Sequence, residues 1–288
     1  MQTLSLAMRN SEDEGLALPS VFPSLEKHGA KFRRSQLSLI AGAPGGGKSA
    51  VATYIASRMA YWDDEFFQEY PVPILYWSAD SDKKTLGVRV TASVTKHTVD
   101  EAEKLLEAGD ADTWNMLEAN TNHIWFAWDR GPSLDDIEAE VEAFAMVMGE
   151  WPHVIVIDNL KNVWIEDTGE GGEHIRYDRV LDYLHELAGI TGAHVMVLHH
   201  VTGVYENGDI PIPLSGILGK VTKPFRLILT LHRTWDGQLG ICIVKNSNGP
   251  MDASGKLIVK IPYDLERMQF MDYPSEQQAI MNGVESVG

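Results

Sequence analysis

Residues 37–49 read LSLIAGAPGGGKS, a short apolar run that stops in a glycine-rich turn and closes on Gly47-Lys48-Ser49. From Gly42 the spacing is G-x-x-x-x-G-K-S, the pattern of a phosphate-binding loop. A nucleoside triphosphate brings several negative charges into a small space. Gly42, Gly45, Gly46 and Gly47 free the backbone to converge its N–H groups on phosphate oxygens. A helix starting near Gly47 adds the positive end of its dipole. Lys48 is expected to reach the β and γ phosphates, and the Ser49 hydroxyl to hold Mg²⁺. Leu37, Leu39 and Ile40 predict a buried strand before the loop, and Val51, Ile55, Met59 and Trp62 mark one face of a helix after it. The stretch Gly42, Ala43, Pro44, Gly45, Gly46, Gly47, Lys48, Ser49 and Ala50 is therefore the expected site for ATP or a similar nucleotide.

Composition sets the outer bounds. With 288 residues, 44% of them hydrophobic, the chain can bury a substantial core as one large domain or two small ones. No apolar run approaches the roughly 18 residues of a membrane span. MQTLSLAMRN at the N-terminus lacks a basic region ahead of an apolar one, so no secretion signal is expected. The single Cys242 cannot form an internal disulfide, which suits a reducing cytoplasm; a small buried hydrophobe in a strand is its expected role. A net charge of −17 argues against a surface that is basic all over, while leaving room for local nucleic-acid contacts.

Along the chain, strand and helix patterns alternate. Residues 1–35, with acidic Glu12 to Glu14 and basic Lys31, Arg33 and Arg34, read as an N-terminal arm. Residues 36–272 read as the main domain, and 273–288 as a loose tail. ILYWSAD, Ile74 to Asp80, is a second strand ending in a carboxylate, which either serves catalysis or caps the helix that follows. HIWFAW, His123 to Trp128, is a third. Ser133, Asp136 and Gly149 bracket a helix through a capping box and a C-terminal glycine. HVIVIDNL, His153 to Leu160, is a buried strand that delivers Asp158, the type of carboxylate that joins a Mg²⁺ shell. An amphipathic helix carries Val180, Leu181, Leu184 and Leu187 inward, and HVMVLHH, His194 to His200, is another strand. After a Gly/Pro-containing loop from Val201 to about Gly219 come FRLILTLHR, LGICIVKN, KLIVKIPY and RMQFMDY, strands without long helices. The pattern predicts an α/β fold: a mostly parallel central sheet with helices on both faces and a C-terminal antiparallel β extension.

With the carboxylate strand, the paired histidines and VKNSNGP in their order, the chain from about Phe22 to Phe270 resembles the RecA-like ATPase core of replicative ring helicases, most closely the DnaB type and the phage helicase–primase type. No primase or N-terminal helical domain is recognisable, which fits a stand-alone motor core of a phage or plasmid replicon. The resemblance implies a DNA-dependent ATPase acting on single-stranded DNA as a homo-oligomeric ring, a hexamer in that family, among replication partners and away from membranes. It implies roles for individual residues too. Asp80 stands at a catalytic glutamate that orients the attacking water, and Asp158 at the Mg²⁺-shell aspartate. His199 or His200 stands at the γ-phosphate sensor that couples to the DNA-binding loop. Because the two point to opposite faces of a strand, only one is expected to face the nucleotide. Lys245 stands at a lysine that reaches the neighbouring subunit's site, and Arg233 and Tyr263 fall near positions flanking the base. The loops at Val163 to His174 and Val201 to Gly219 correspond to loops facing the DNA channel.

Three departures from that family bear on activity. Its glutamate is here Asp80, one methylene shorter. Its arginine finger is here Ser247, and loss of such a finger lowers the rate by roughly 10³ to 10⁵. The channel loops carry Glu166, Asp167, Glu170, Glu173, Glu206 and Asp209, which leaves backbone N–H groups, or Lys220, Lys223 and Arg226 at the loop edge, to meet nucleic acid. A slow ATPase in which Arg226 or Arg233 replaces the finger is one expectation. A RecA-like recombination or regulatory scaffold without unwinding is a second, and a nuclease with Asp80, Asp158 and a His around a metal a third.

Overall fold

The computed structural model describes residues 14–61, 71–165 and 173–272. The first helix among the described residues is a single turn, α1 (Pro23–Glu26), and an eight-stranded sheet follows. Its strands are β1 (Leu37–Gly42), β2 (Ile74–Ser78), β3 (Ile124–Ala127), β4 (Val154–Asp158), β5 (His194–His200), β6 (Leu227–Arg233), β7 (Leu239–Asn246) and β8 (Ile258–Ile261). They lie in the order β3-β2-β4-β5-β1-β6-β7-β8. Every pairing from β3 to β6 is parallel, and β7 and β8 extend the sheet antiparallel. The sheet is thus the expected one, with one correction. RMQFMDY adds no ninth strand: β10 (Gln269–Phe270) pairs with β9 (Tyr263–Asp264) as a separate two-stranded ribbon.

Alternation along the central strands explains why they read as unbroken apolar runs. Leu39, Ile155, Ile157, Val195 and Val197 face a core filled by α6 (Leu134–Met148) and α7 (Glu173–Thr191), through Ile137, Val141, Phe144, Val180, Leu181 and Leu184. Ile40, Val154, Val156, Met196 and Leu198 face the opposite core, where α2 (Lys48–Ala60) packs through Val51, Ile55 and Met59. A strand buried on both faces has no polar side to alternate with. Outside α2 lie α3 (Lys83–Thr95), α4 (Val99–Glu107) and α5 (Ala111–Thr121). Trp62, expected on the α2 face, lies outside the described residues, as do the tail residues 273–288.

In its described part the stretch expected as an arm is a strap over the second core. Leu18, Phe22, Leu25, Ala30 and Phe32 are all buried there. Leu18 donates its N–H to the Phe32 carbonyl at 2.9 Å, so the strap folds back on itself. Prolines interrupt its apolar residues, so neither helical nor strand periodicity announced the burial. Ser133 and Asp136 form the expected capping box, and Gly149 ends α6 at φ 78°. Among the described residues no helix is long and apolar enough to cross a membrane.

His194 locks the strap to the sheet. Its Nδ1 meets the Arg33 carbonyl at 2.8 Å and its Nε2 meets Ser38 Oγ at 2.8 Å. A carbonyl can only accept, so the proton sits on Nδ1 and Ser38 donates to Nε2. Burial pushes the His194 pKa down to about 4, only partly offset by the Arg33 carbonyl. An exposed imidazole takes its proton near pH 6.5. Between those values the unfolded chain binds the extra proton, so stability present above about pH 6.5 is lost as pH falls toward 4. Thermal unfolding is therefore expected several degrees lower at about pH 5 than at neutral pH, with His194→Gln losing part of that difference. Equal pH sensitivity in the two proteins would contradict this account.

Candidate nucleotide site

The loop after β1 needs its glycines for separable reasons. Gly45 and Gly47 sit at φ 69° and 86°, the left-handed region that side chains with a Cβ avoid. Gly46 donates its N–H to the Ala43 carbonyl at 3.0 Å, and a Cβ on Gly46 would stand 3.0 Å from that same oxygen. Gly47 is the N-cap of α2, which begins at Lys48. The Lys48 side chain is only 7% exposed and donates from Nζ to the carbonyls of Gly42 at 3.1 Å and Ala43 at 2.9 Å. Burial pulls its pKa down, and the carboxylates of Asp158 and Asp80 pull it back up.

Those carboxylates arrive on neighbouring parallel strands. Ser78 at the end of β2 pairs with Asp158 at the end of β4, and β5 lies between β4 and β1. Asp158 accepts a hydrogen bond from the Tyr76 hydroxyl at 3.1 Å and another from the Ser49 side chain. Burial raises the Asp158 pKa, against the pull of those two donors. Tyr76 in turn accepts from Thr53 Oγ1 at 3.3 Å. Burial pushes the Tyr76 pKa up, so this phenol stays protonated and donates. Sequence reasoning passed over Tyr76, although a phenol inside a fully buried strand must find a partner. Ser49 and Asp158 together present hard oxygen donors of the kind that bind Mg²⁺ alongside water and phosphate oxygens. Among the described residues no group of three or more His, Cys, Asp or Glu is arranged to hold a metal, which leaves the nuclease reading without a ligand cluster.

Asp80 is exposed just past β2 and does not cap the next helix. That role belongs to Asp82, whose carboxylate accepts from the Thr85 N–H at 2.9 Å. The Asp80 carboxylate instead accepts from the side-chain amide of Asn159, which follows Asp158 through a cis peptide bond. That amide also meets His200 Nε2 at 3.4 Å. The two histidines part as strand alternation requires. His200 joins the carboxylate side, whereas His199 is fully buried against Tyr177, with ring centroids 5.1 Å apart. His199 Nε2 meets the Leu218 carbonyl at 3.1 Å, tying β5 to the loop that follows.

Arg233 and Tyr263 line a cleft together with Ala43, Pro44, Gly45, Gly46, Gly47 and Val51. Asn207 and Gly208 border the same cleft, so part of the Val201–Gly219 loop folds back beside the phosphate loop. Lys245 does not join this side. It pairs with Ile228 near the start of β6, and its Nζ donates to the carbonyls of Thr222 at 2.8 Å and Lys223 at 3.1 Å. Ser247 donates its N–H to the Arg226 carbonyl at 2.8 Å, and Arg226 donates its own to Leu37 at the start of β1. These groups lie a whole strand, about 20 Å, from the loop at the far end of β1. Lys223 and Arg226 are exposed on this edge, while Lys220, two residues past the Leu218 carbonyl that His199 holds, is exposed in the loop after β5 together with Glu206 and Asp209. Glu166, Asp167 and Glu170 lie outside the described residues, and of the Glu173 side chain nothing is described.

A phosphate loop at the end of β1 and a buried aspartate two strands away define a P-loop ATPase with a RecA-like sheet. Residues 7–203 match the AAA domain family, and the chain belongs to that family. It is 36% identical to the gene 65 protein of Mycobacterium phage L5 over 279 residues, covering 93% of this chain and 97% of the relative. A probable replicative DNA helicase of Trieres chinensis is 24% identical over 287 residues, covering 94% of this chain and 60% of the helicase. Among solved structures, a DnaB-like replicative helicase, described with its interactions with primase, superimposes with a TM-score of 0.73. That match covers 95% of this chain and 68% of the helicase at 17% identity. The fold is the RecA-like ATPase core of DnaB-type helicases.

The loop geometry makes Gly47→Ala diagnostic. A Cβ there meets no atom within 4 Å, so the penalty is conformational, about 1–2 kcal/mol. Calorimetric titration with ADP is expected to show affinity lower by about tenfold, with a small change in melting temperature. Unchanged affinity would mean that the left-handed turn does not shape the phosphate cradle.

Proposed function

We propose that the protein is an ATP-hydrolysing, DNA-dependent motor of replicative helicase type, working on single-stranded DNA as a ring of identical subunits. One observation carries the reading: Lys48, Ser49, Asp158 and Asp80 converge at one end of the sheet, while Lys245 and Arg226 stand at the other. Within one chain the two sets cannot meet around one nucleotide. Between copies they can, with the cationic edge of one subunit facing the phosphate loop of the next.

In this arrangement Lys48 and the backbone of Gly45 to Ser49 bind the phosphates, and Arg233 and Tyr263 flank the base. Mg²⁺, held by Ser49 and by Asp158 through water, would neutralise charge on the β and γ phosphates. Asp80 orients a water and takes its proton as the water oxygen attacks the γ phosphorus. The bond to ADP breaks, and its electron pair leaves on the bridging oxygen. His200, rather than His199, stands beside these groups as the sensor, and His199 holds the loop after β5. The absent finger has a structural substitute in Arg226, whose carbonyl holds Ser247 and whose side chain is exposed on that edge. Arg233, in the cleft of its own chain, is the wrong end of the sheet for that task. Lys223 and Arg226 offer cations for nucleic acid along the same edge, and Lys220 offers one in the loop after β5.

A regulatory scaffold that binds nucleotide without unwinding draws support from Ser247 and from the acidic Glu206 and Asp209. Steady-state ATP hydrolysis with and without single-stranded DNA separates the readings. The motor predicts stimulation by DNA, no turnover in Lys48→Ala, and a loss on the order of 10³-fold in Arg226→Ala with nucleotide still bound. A wild-type rate equal to that of Lys48→Ala in both conditions would leave only the scaffold.

A further inference from the structure

Asn159 makes three contacts that fix its side chain in one orientation. Its Oδ1 accepts from the Lys161 N–H at 3.0 Å, which caps the short turn Leu160–Asn162. That places its amide nitrogen toward the Asp80 carboxylate, which can only accept. The second amide hydrogen points at His200 Nε2, 3.4 Å away. The residue is 2% exposed, whereas Asp80 is exposed, so a rigid buried amide holds a carboxylate that solvent would otherwise leave free to rotate. The same contact assigns the His200 tautomer. An Nε2 that accepts from an amide carries no hydrogen, so the proton of the neutral ring sits on Nδ1, a buried atom with no partner among the described residues.

From this geometry we infer that Asn159 is the positioning residue of hydrolysis, fixing the Asp80 carboxylate and the His200 ring relative to each other beside Lys48. The inference rests on the ATPase reading above. It accounts for how the short Asp80 side chain, with one rotatable bond fewer than a glutamate, is held to a single direction: the amide that follows Asp158 in sequence meets it from the adjacent strand. A positioning residue of this kind acts on turnover and leaves nucleotide binding alone, because Asn159 reaches the carboxylate and the imidazole rather than the phosphate loop.

Asn159→Ser keeps an oxygen that can cap the Lys161 N–H but is too short to reach Asp80. The expected result is kcat lower by on the order of 10²-fold, with KM and ADP affinity within about twofold of wild type. In an Asp80→Ala background the same substitution is expected to change kcat by less than about twofold, because the group it positions is gone. Asn159→Gln, which retains the amide, tests rescue and should recover part of the rate. A loss of equal size in both backgrounds, or a fall in ADP affinity that matches the fall in kcat, would overturn the inference while leaving the ATPase reading intact. A wild-type rate no higher than that of Lys48→Ala would remove both.

Discussion

A buried ammonium sets the terms for the rest of the molecule. Lys48 stands at the first turn of α2, where the helix dipole is positive and solvent is excluded, and a lone cation there is unfavourable. The fold answers with the carbonyls of Gly42 and Ala43 and with two carboxylates from the ends of β2 and β4. Bringing those carboxylates within range requires β2, β4, β5 and β1 to run parallel and end together, and this in turn requires helical crossovers on both faces. The two hydrophobic cores follow from that demand, because parallel strands exposed on either face would leave the sheet uncovered.

The same layout divides chemical labour across the sheet. Carboxylates, the phosphate loop and His200 gather at the carboxyl ends of the parallel strands, the usual place for a ligand in an open α/β sheet. Lys245, Arg226 and Lys223 gather at the opposite ends, an edge of positive charge on a chain of net charge −17. A lysine side chain cannot bridge a separation of one strand length, so within one chain these cations stay clear of the phosphate loop. Within β5 the period of two separates neighbours: His200 meets Asn159 beside the site, and His199 passes to the other face and holds Leu218.

Much of this was legible in the sequence, for particular reasons. Gly42 to Ser49 could be read because backbone geometry and phosphate chemistry leave few other residues possible. Asp158 could be read because four buried apolar residues lead to a carboxylate. The strap of residues 14–35 could not, since its burial is made by irregularly spaced Leu18, Phe22, Leu25 and Phe32 whose partners lie far along the chain. Nor could the roles of Tyr76 and Asn159 be read, because each depends on which strand lies beside it, and β2 meets β4 only through a crossover of some eighty residues. The choice between His199 and His200 needed the register of β5. The cap at Asp82 rather than Asp80 was a matter of two residues at a helix start, where sequence signals are least sharp.

The central claim is that one catalytic site takes its parts from two copies of this chain. It is tested most directly by mixing Lys48→Ala subunits, whose cationic edge is intact, with subunits carrying Lys245→Ala and Arg226→Ala, whose phosphate loop is intact. Each variant alone is predicted to be inactive in ATP hydrolysis, and the mixture is predicted to regain activity wherever an intact loop meets an intact edge. A mixture as inactive as its parts, or full activity from the edge variant alone, would contradict the claim.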